Sequence, residues 1–199
     1  MLRLARRPRL PALPQLLLAI LPLLPGALAA QGGSEPADPP EVVAEEFNRG
    51  FQSMAWAGLV QRLHPEALAH LRYAADILVQ VDTTGYVLGT FLEGAHRDDY
   101  PRIPDDEVVR RVLAAAQTEA PGLLSSLVSR RTEVLGVVPE GQDRHVVYRI
   151  VALVQGARPQ VRVMTLSQVG GRWRVRAAED IEVLHTAIRG IPIPRIRIP

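Results

Sequence analysis

The hydrophobic spacing of this chain changes once, near residue 131, and that switch restricts the fold more than any other feature. Before it, apolar side chains recur every three or four positions, the spacing of one face of a helix. After it come four β-branched runs, 132–138, 144–154, 160–169 and 172–180, separated by "PEGQD", "QGARP" and "GG". Runs of that kind between turn residues form a meander of antiparallel strands. Helices followed by strands, without alternation, predict an α+β domain with N-terminal helices packed on a C-terminal antiparallel sheet.

Gly170-Gly171 sets the register of the last two strands. A two-residue hairpin loop pairs Val169 with Arg172, and each further pair follows by counting outward. One face then carries Gln168/Trp173, Leu166/Val175, Met164/Ala177 and Arg162/Glu179, and is assigned to the core. The other carries Ser167/Arg174, Thr165/Arg176 and Val161/Asp180, and is assigned to water along with Arg172. On the preceding strand the inner face takes Val146, Tyr148 and Ile150. A slip of one residue would turn in Val147, Arg149 and Val151 instead.

In the helical half, Val43, Phe47 and Phe51 share one face of a first helix over 41–52, and Trp56, Leu59, Val60 and Leu63 one face of a second. A third stripe, Leu68, Leu71, Ala75 and Leu78, runs on to Val81 and stops at Asp82-Thr83-Thr84-Gly85. Pro65 divides the second stripe from the third. Inside a helix it would cost about 3 kcal/mol, but at a first turn its missing N–H costs little. It also drives His64 out of the α region, so the helix breaks there, with His64 satisfied by local backbone. Residues 85–103 read as a loop. Asp105, Asp106 and Glu107 open another helix, with Val108, Val112, Leu113 and Ala116 as its apolar face, and Pro121-Gly122 breaks it before a short helical stretch over 123–128.

The first thirty residues of the 199 read as a leader: Arg3, Arg6, Arg7 and Arg9, an apolar run over 16–24, then Ala27-Leu28-Ala29. The run is shorter than the ~20 residues that span a bilayer, so a cleaved secretory signal is expected, with export to the periplasm or outside the cell and no transmembrane anchor left. Residues 31–40, "QGGSEPADPP", read as a disordered linker, 41–190 as the domain, and 191–199, "IPIPRIRIP", as an extended tail. Without the four leader arginines, the 23 basic residues fall to 19 against 21 acids, which gives no global argument for nucleic acid. There is no cysteine, so neither a disulfide framework nor a thiol nucleophile is available. Residues 31–107 hold most of the acids and 108–199 most of the arginines, so attraction between the helical layer and the sheet is expected.

These pieces resemble the NTF2-like (SnoaL/ketosteroid-isomerase-like) superfamily. The resemblance rests on the leading amphipathic helix, on "AWAGLVQRLHPEAL", close to that family's W-x-x-L…L-H-P-x-x-L opening, and on the meander ending "GGRWRV". It covers most of 41–183. It implies a bent sheet wrapped around helices, a conical pocket and dimerisation through the sheet. The chain departs from the family by continuing as helix after the break, where a strand is usual, and by a longer stretch over 82–131. Family isomerases use a pocket Asp with a Tyr or second acid; no such pattern maps here, so no catalytic residue is carried over.

Six residues are candidate ligand contacts. Tyr148, Arg162, Met164 and Glu179 lie on the inner face, with Arg162 opposite Glu179 as a charged pair at the open end of the sheet. His96 and Asp99 come from "HRDDY", where an imidazole beside carboxylates and a phenol suits acid–base work. His70, His145 and His185 stand isolated, the outward arginine row shows no accompanying aromatic, and no residue is assigned to a metal or cofactor. The expected function is a binding or interaction module with a pocket for a small apolar or amphipathic ligand. The alternatives are an isomerase, cyclase or hydratase using a pocket carboxylate, and a structural partner of the cell envelope.

Overall fold

The computed structural model describes residues 38–153 and 156–193. The expected leader, most of the linker and the end of the tail lie outside the described residues. The chain is α+β: five helices lead, a four-stranded antiparallel sheet in the order β1-β2-β3-β4 follows, and one more helix closes the described part. No helix among the described residues is long and apolar enough to cross a membrane.

Helix α1 (Pro40–Gln52) buries Val43, Phe47 and Phe51, the three positions of its expected face. Helix α2 (Trp56–Gln61) buries Trp56, Leu59 and Val60. Helix α3 (Pro65–Val81) starts at Pro65, and His64 is its N-cap in extended conformation, the ring Nδ1 accepting the Glu66 N–H at 3.2 Å. The break serves a second purpose that local sequence does not show. His64 N–H donates to the Val175 carbonyl and Val175 N–H to the Arg62 carbonyl, both at 2.8 Å, making a parallel bridge of Leu63 to Val175. The three residues between α2 and α3 thus occupy the outward N–H and C=O of Val175 in the middle of the last strand, on an edge that would otherwise invite another chain.

The stretch read as a loop over 85–103 is part of the core. A single π-helical turn, Val87–Phe91, buries Val87, Leu88 and Phe91, and the 3₁₀ turn Tyr100–Arg102 buries Tyr100. Asp82, buried itself, ties the entrance: one carboxylate oxygen accepts from Thr84 N–H (2.9 Å) and Thr84 Oγ1 (2.6 Å), the other from Val87 N–H (2.7 Å). Burial alone would push its carboxyl up, but these hydrogen bonds, with Arg97 nearby, outweigh burial and hold it below its ordinary value. A carboxylate depressed in this way stabilises the fold above its unfolded pKa, near 4, and loses that contribution as pH falls through the folded value. Asp82→Ala is therefore expected to cost about 2 kcal/mol at pH 7 by urea denaturation, with two backbone donors left unpaired. The gap from wild type should stay constant down to about pH 5 and narrow below pH 4; a gap that widens in acid contradicts the assignment.

Helices α4 (Asp105–Glu119) and α5 (Pro121–Val128) follow as expected, with acids in the first turn of α4 and Pro121 opening α5. In the sheet, β1 (Arg130–Glu140), β2 (Asp143–Ala152), β3 (Gln160–Val169) and β4 (Arg172–Ala178) pair in sequence order. Val146 faces Met164 and Tyr148 faces Arg162 across β2–β3, and Val146, Tyr148, Met164, Leu166 and Val175 are all fully buried. Gly170 and Gly171 take φ of 58° and 76°, the two left-handed residues a tight hairpin turn needs, and Val169 pairs with Arg172.

The expected register fails in one place. Between Leu166/Val175 and Thr165/Ala177 the ladder shifts, with Arg176 as the extra residue. Met164 accordingly faces Ala178, not Ala177, and Ala178 is buried where Ala177 is exposed. The strand then ends. Glu179, expected as a strand residue opposite Arg162, opens helix α6 (Glu179–Arg189), which the β reading of 172–180 did not anticipate. Its acids Glu179, Asp180 and Glu182 favour a helix start, and Ile181, Leu184, Ala187 and Ile188 bury one face against the core. Ile191 is buried beyond it, so the tail begins inside the packed region. Among the described residues, the ion pairs that join helix to sheet come from α6, Asp180 with Arg130 and Glu179 with Arg162, and none from the acids of 31–107 that were expected to supply the attraction. Arg110 and Arg111 pair with Glu107 inside the helical layer, and Arg176 pairs with Asp143 inside the sheet.

Candidate functional site

Arg162 and Glu179 do meet, Nε to Oε2 at 2.7 Å, but from β3 to the first turn of α6 and not across two strands. Both are part-exposed, and Arg162 also donates to Gln160 at 2.7 Å, so the pair sits at the rim. Tyr148 and Met164, also candidate contacts, are at 0% exposure, packed within the core cluster. His96 and Asp99 find their partners locally: His96 lies 3.6 Å from Asp98, and Asp99 accepts from Arg102 at 3.0 Å, with side chains 74% and 63% exposed. Tyr100, the last member of "HRDDY", is an anchor. Its hydroxyl donates to Asp76 at 2.6 Å and Arg72 stacks on its ring at 4.5 Å.

A charged group that sequence reasoning missed lies inside. Arg130 (7% exposed) donates to Asp180 (2% exposed) at 2.5 Å, and the Tyr148 hydroxyl donates to the other oxygen at 3.2 Å. Burial, reinforced by the Asp180 charge, raises the phenol above its ordinary value and keeps it protonated. Arg130 also lies 5.4 Å over the Phe51 ring, while its Nε and Nη2 are buried without hydrogen-bond partners among the described residues. An acid and a phenol in contact have the elements of proton transfer. Here both are packed away from solvent, so the trio joins β1, β2 and α6.

Among the described residues, two clefts that open to the outside bear on function. The larger, about 800 Å³, lies between the helix break and the β3–β4 turn. Val60, Leu63, Leu68 and Trp173 form apolar wall, and Arg62, Arg172 and Arg174 contribute guanidinium groups. Trp173, assigned to the inner face, packs partly on the core, is only half-buried and borders the same cleft as these arginines. Arg144 stacks 5.3 Å over the Trp173 ring. Of the three arginines, Arg62 is neutralised by Glu46 and lies 3.6 Å from Asp38. Arg172 and Arg174 form no ion pair among the described residues. Burial first, then the charges of Arg172 and Arg62, lower the Arg174 pKa from its ordinary value, the signature of a cation short of counter-charge. Three acids line the same cleft, Asp38, Asp105 and Asp106, and Arg72 holds Asp105 at 3.2 Å.

The smaller cleft, about 370 Å³, is lined by Glu66 and His70 of α3, Glu179 and Glu182 of α6, and Val163 and Arg176 of the sheet. Beside it, two histidines that look isolated in sequence come together: the His70 and His185 rings stack at 4.2 Å, 12° apart. Burial, then the neighbouring His70, lowers the His185 pKa. Comparison of the chain with models of known protein families, with curated proteins and with solved structures finds no match.

Proposed function

We propose that this chain is an exported binding module of NTF2-like build that takes a small amphipathic ligand by its anionic end, in the cleft between the helix break and the β3–β4 turn. Arg174 carries the reading. It is a half-buried cation without an acid partner among the described residues, set beside Trp173 and an apolar wall. Desolvating a guanidinium costs free energy that an anionic ligand would offset, and Arg suits the two-point recognition of carboxylate or phosphate. Trp173 and Leu68 would take the apolar part. The NTF2-like element is supported by the break docked on β4 and by the meander, while α6 is an addition to the implied pattern. The pocket isomerase requires Glu179 to share one cavity with His96 or Asp99. Glu179 borders the smaller cleft with His70 and Glu182, whereas His96 and Asp99 pair within their own loop.

Calorimetric titration with decyl phosphate and with decanol, both below their micelle-forming range, tests the proposal. The phosphate should bind at least tenfold more tightly, since a charge-assisted hydrogen bond contributes about 1.5–3 kcal/mol and 1.4 kcal/mol is tenfold. Arg174→Ala should remove most of that preference and leave decanol unchanged. Equal affinity for the two compounds, or an Arg174→Ala protein that keeps the preference, rules the proposal out.

A further inference from the structure

Helices α3 and α6 pack against each other, and each presents an acid and a histidine at helical spacing: Glu66 and His70 on α3, Glu182 and His185 on α6. Residues three or four apart share a helix face, so neither pairing depends on loop geometry. The ligand-capable atoms of His70, Glu182 and His185 all lie within 4.8 Å of one another. His70 Nε2 stands 3.3 Å from Glu182 Oε2, and His185 Nε2 is buried with no hydrogen-bond partner among the described residues. A polar ring nitrogen kept from water without a partner costs free energy unless something meets it.

We propose that His70, Glu182 and His185 form a binding site for a divalent transition-metal ion of the zinc class, between α3 and α6. The chemistry fits the donor set. Two imidazoles and one carboxylate suit Zn²⁺, Ni²⁺ or Cu²⁺, whereas Ca²⁺ and Mg²⁺ select oxygen-only shells. The dimensions fit as well. With bonds of about 2.0–2.2 Å, neighbouring ligand atoms of a tetrahedral zinc stand about 3.3 Å apart, the separation already held between His70 and Glu182. The stacked rings set one requirement. Two parallel imidazole planes do not aim their lone pairs at a single point, so one ring must turn out of the stack. His70, with its side chain 39% exposed, is the ring with room to do so. The smaller cleft adjoins His70 and Glu182 and also holds Glu66, one turn before His70. The fourth position falls there, to Glu66 or to water. The site is separate from the arginine cleft and stands or falls independently of it.

The test is titration of the untagged full chain with Zn²⁺ by calorimetry, and with Co²⁺ by visible absorption. One ion per chain is expected, with the intense absorption of four-coordinate cobalt. His70→Ala and Glu182→Gln alter part-exposed side chains, so their proteins should fold, as circular dichroism would verify, and each should bind Zn²⁺ at least tenfold more weakly. His145→Ala, whose ring bonds Thr165 and Glu140 elsewhere, should bind as wild type does. Absence of stoichiometric binding to the folded chain overturns the proposal, as does binding that survives both His70→Ala and Glu182→Gln.

Discussion

Asp180→Ala is expected to destabilise the protein by about 3–5 kcal/mol in urea denaturation at neutral pH, because it leaves the Arg130 guanidinium buried without its carboxylate. That is a large share of the ~5–15 kcal/mol that holds a typical domain together, so the transition should move far toward low urea. Tyr148→Phe removes only the 3.2 Å hydroxyl contact to the same carboxylate and should cost about 1 kcal/mol. The instructive comparison is the double substitution Arg130→Met/Asp180→Leu. Replacing both charges with apolar groups removes the desolvation cost together with the attraction, and such swaps are often neutral or stabilising. The double variant should recover most of the loss from Asp180→Ala. If it is as unstable as the single variant, the Arg130–Asp180 pair contributes more than compensation of two buried charges.

Leu63→Ala should be nearly as damaging, at about 3 kcal/mol by the same measurement. Leu63 is fully packed at the parallel bridge to Val175, and truncating a buried leucine adds a cavity to the lost transfer free energy. Leu68, one turn into α3 and only partly buried, supplies the comparison: Leu68→Ala should cost less than half as much. If the two substitutions cost the same, the helix break would not be the point at which the helical layer grips the edge of the sheet.

The sequence made visible those features whose causes are local. The face of α1 follows from the spacing of Val43, Phe47 and Phe51, and the break at His64 from the backbone limits of Pro65. The hairpin register follows from two glycines able to take positive φ. What stayed hidden depends on residues distant along the chain. Arg130 and Asp180 are 50 positions apart, and His70 and Glu182 are 112 apart, so neither contact has a spacing to read. The bulge at Arg176 is intermediate. It inserts one residue in a strand whose alternation looks regular, and it turned the expected pairing of Arg162 and Glu179 into a contact between a strand and a helix. Helix α6 did leave a signal in its acidic first turn and in Ile181, Leu184, Ala187 and Ile188, which the β reading of 172–180 ran into.

The location of the bound ligand is the point on which the functional account turns, and the chain carries a reporter for it. It has two tryptophans, Trp56, buried with its indole N–H on Gln117 at 3.0 Å, and Trp173 at the cleft. Trp56→Phe leaves Trp173 as the single emitter. On titration with decyl phosphate its emission should shift to shorter wavelength, saturating at the dissociation constant found by calorimetry, as the cleft loses water around the ring. Emission that stays unchanged while calorimetry records full binding would place the ligand elsewhere and contradict the account.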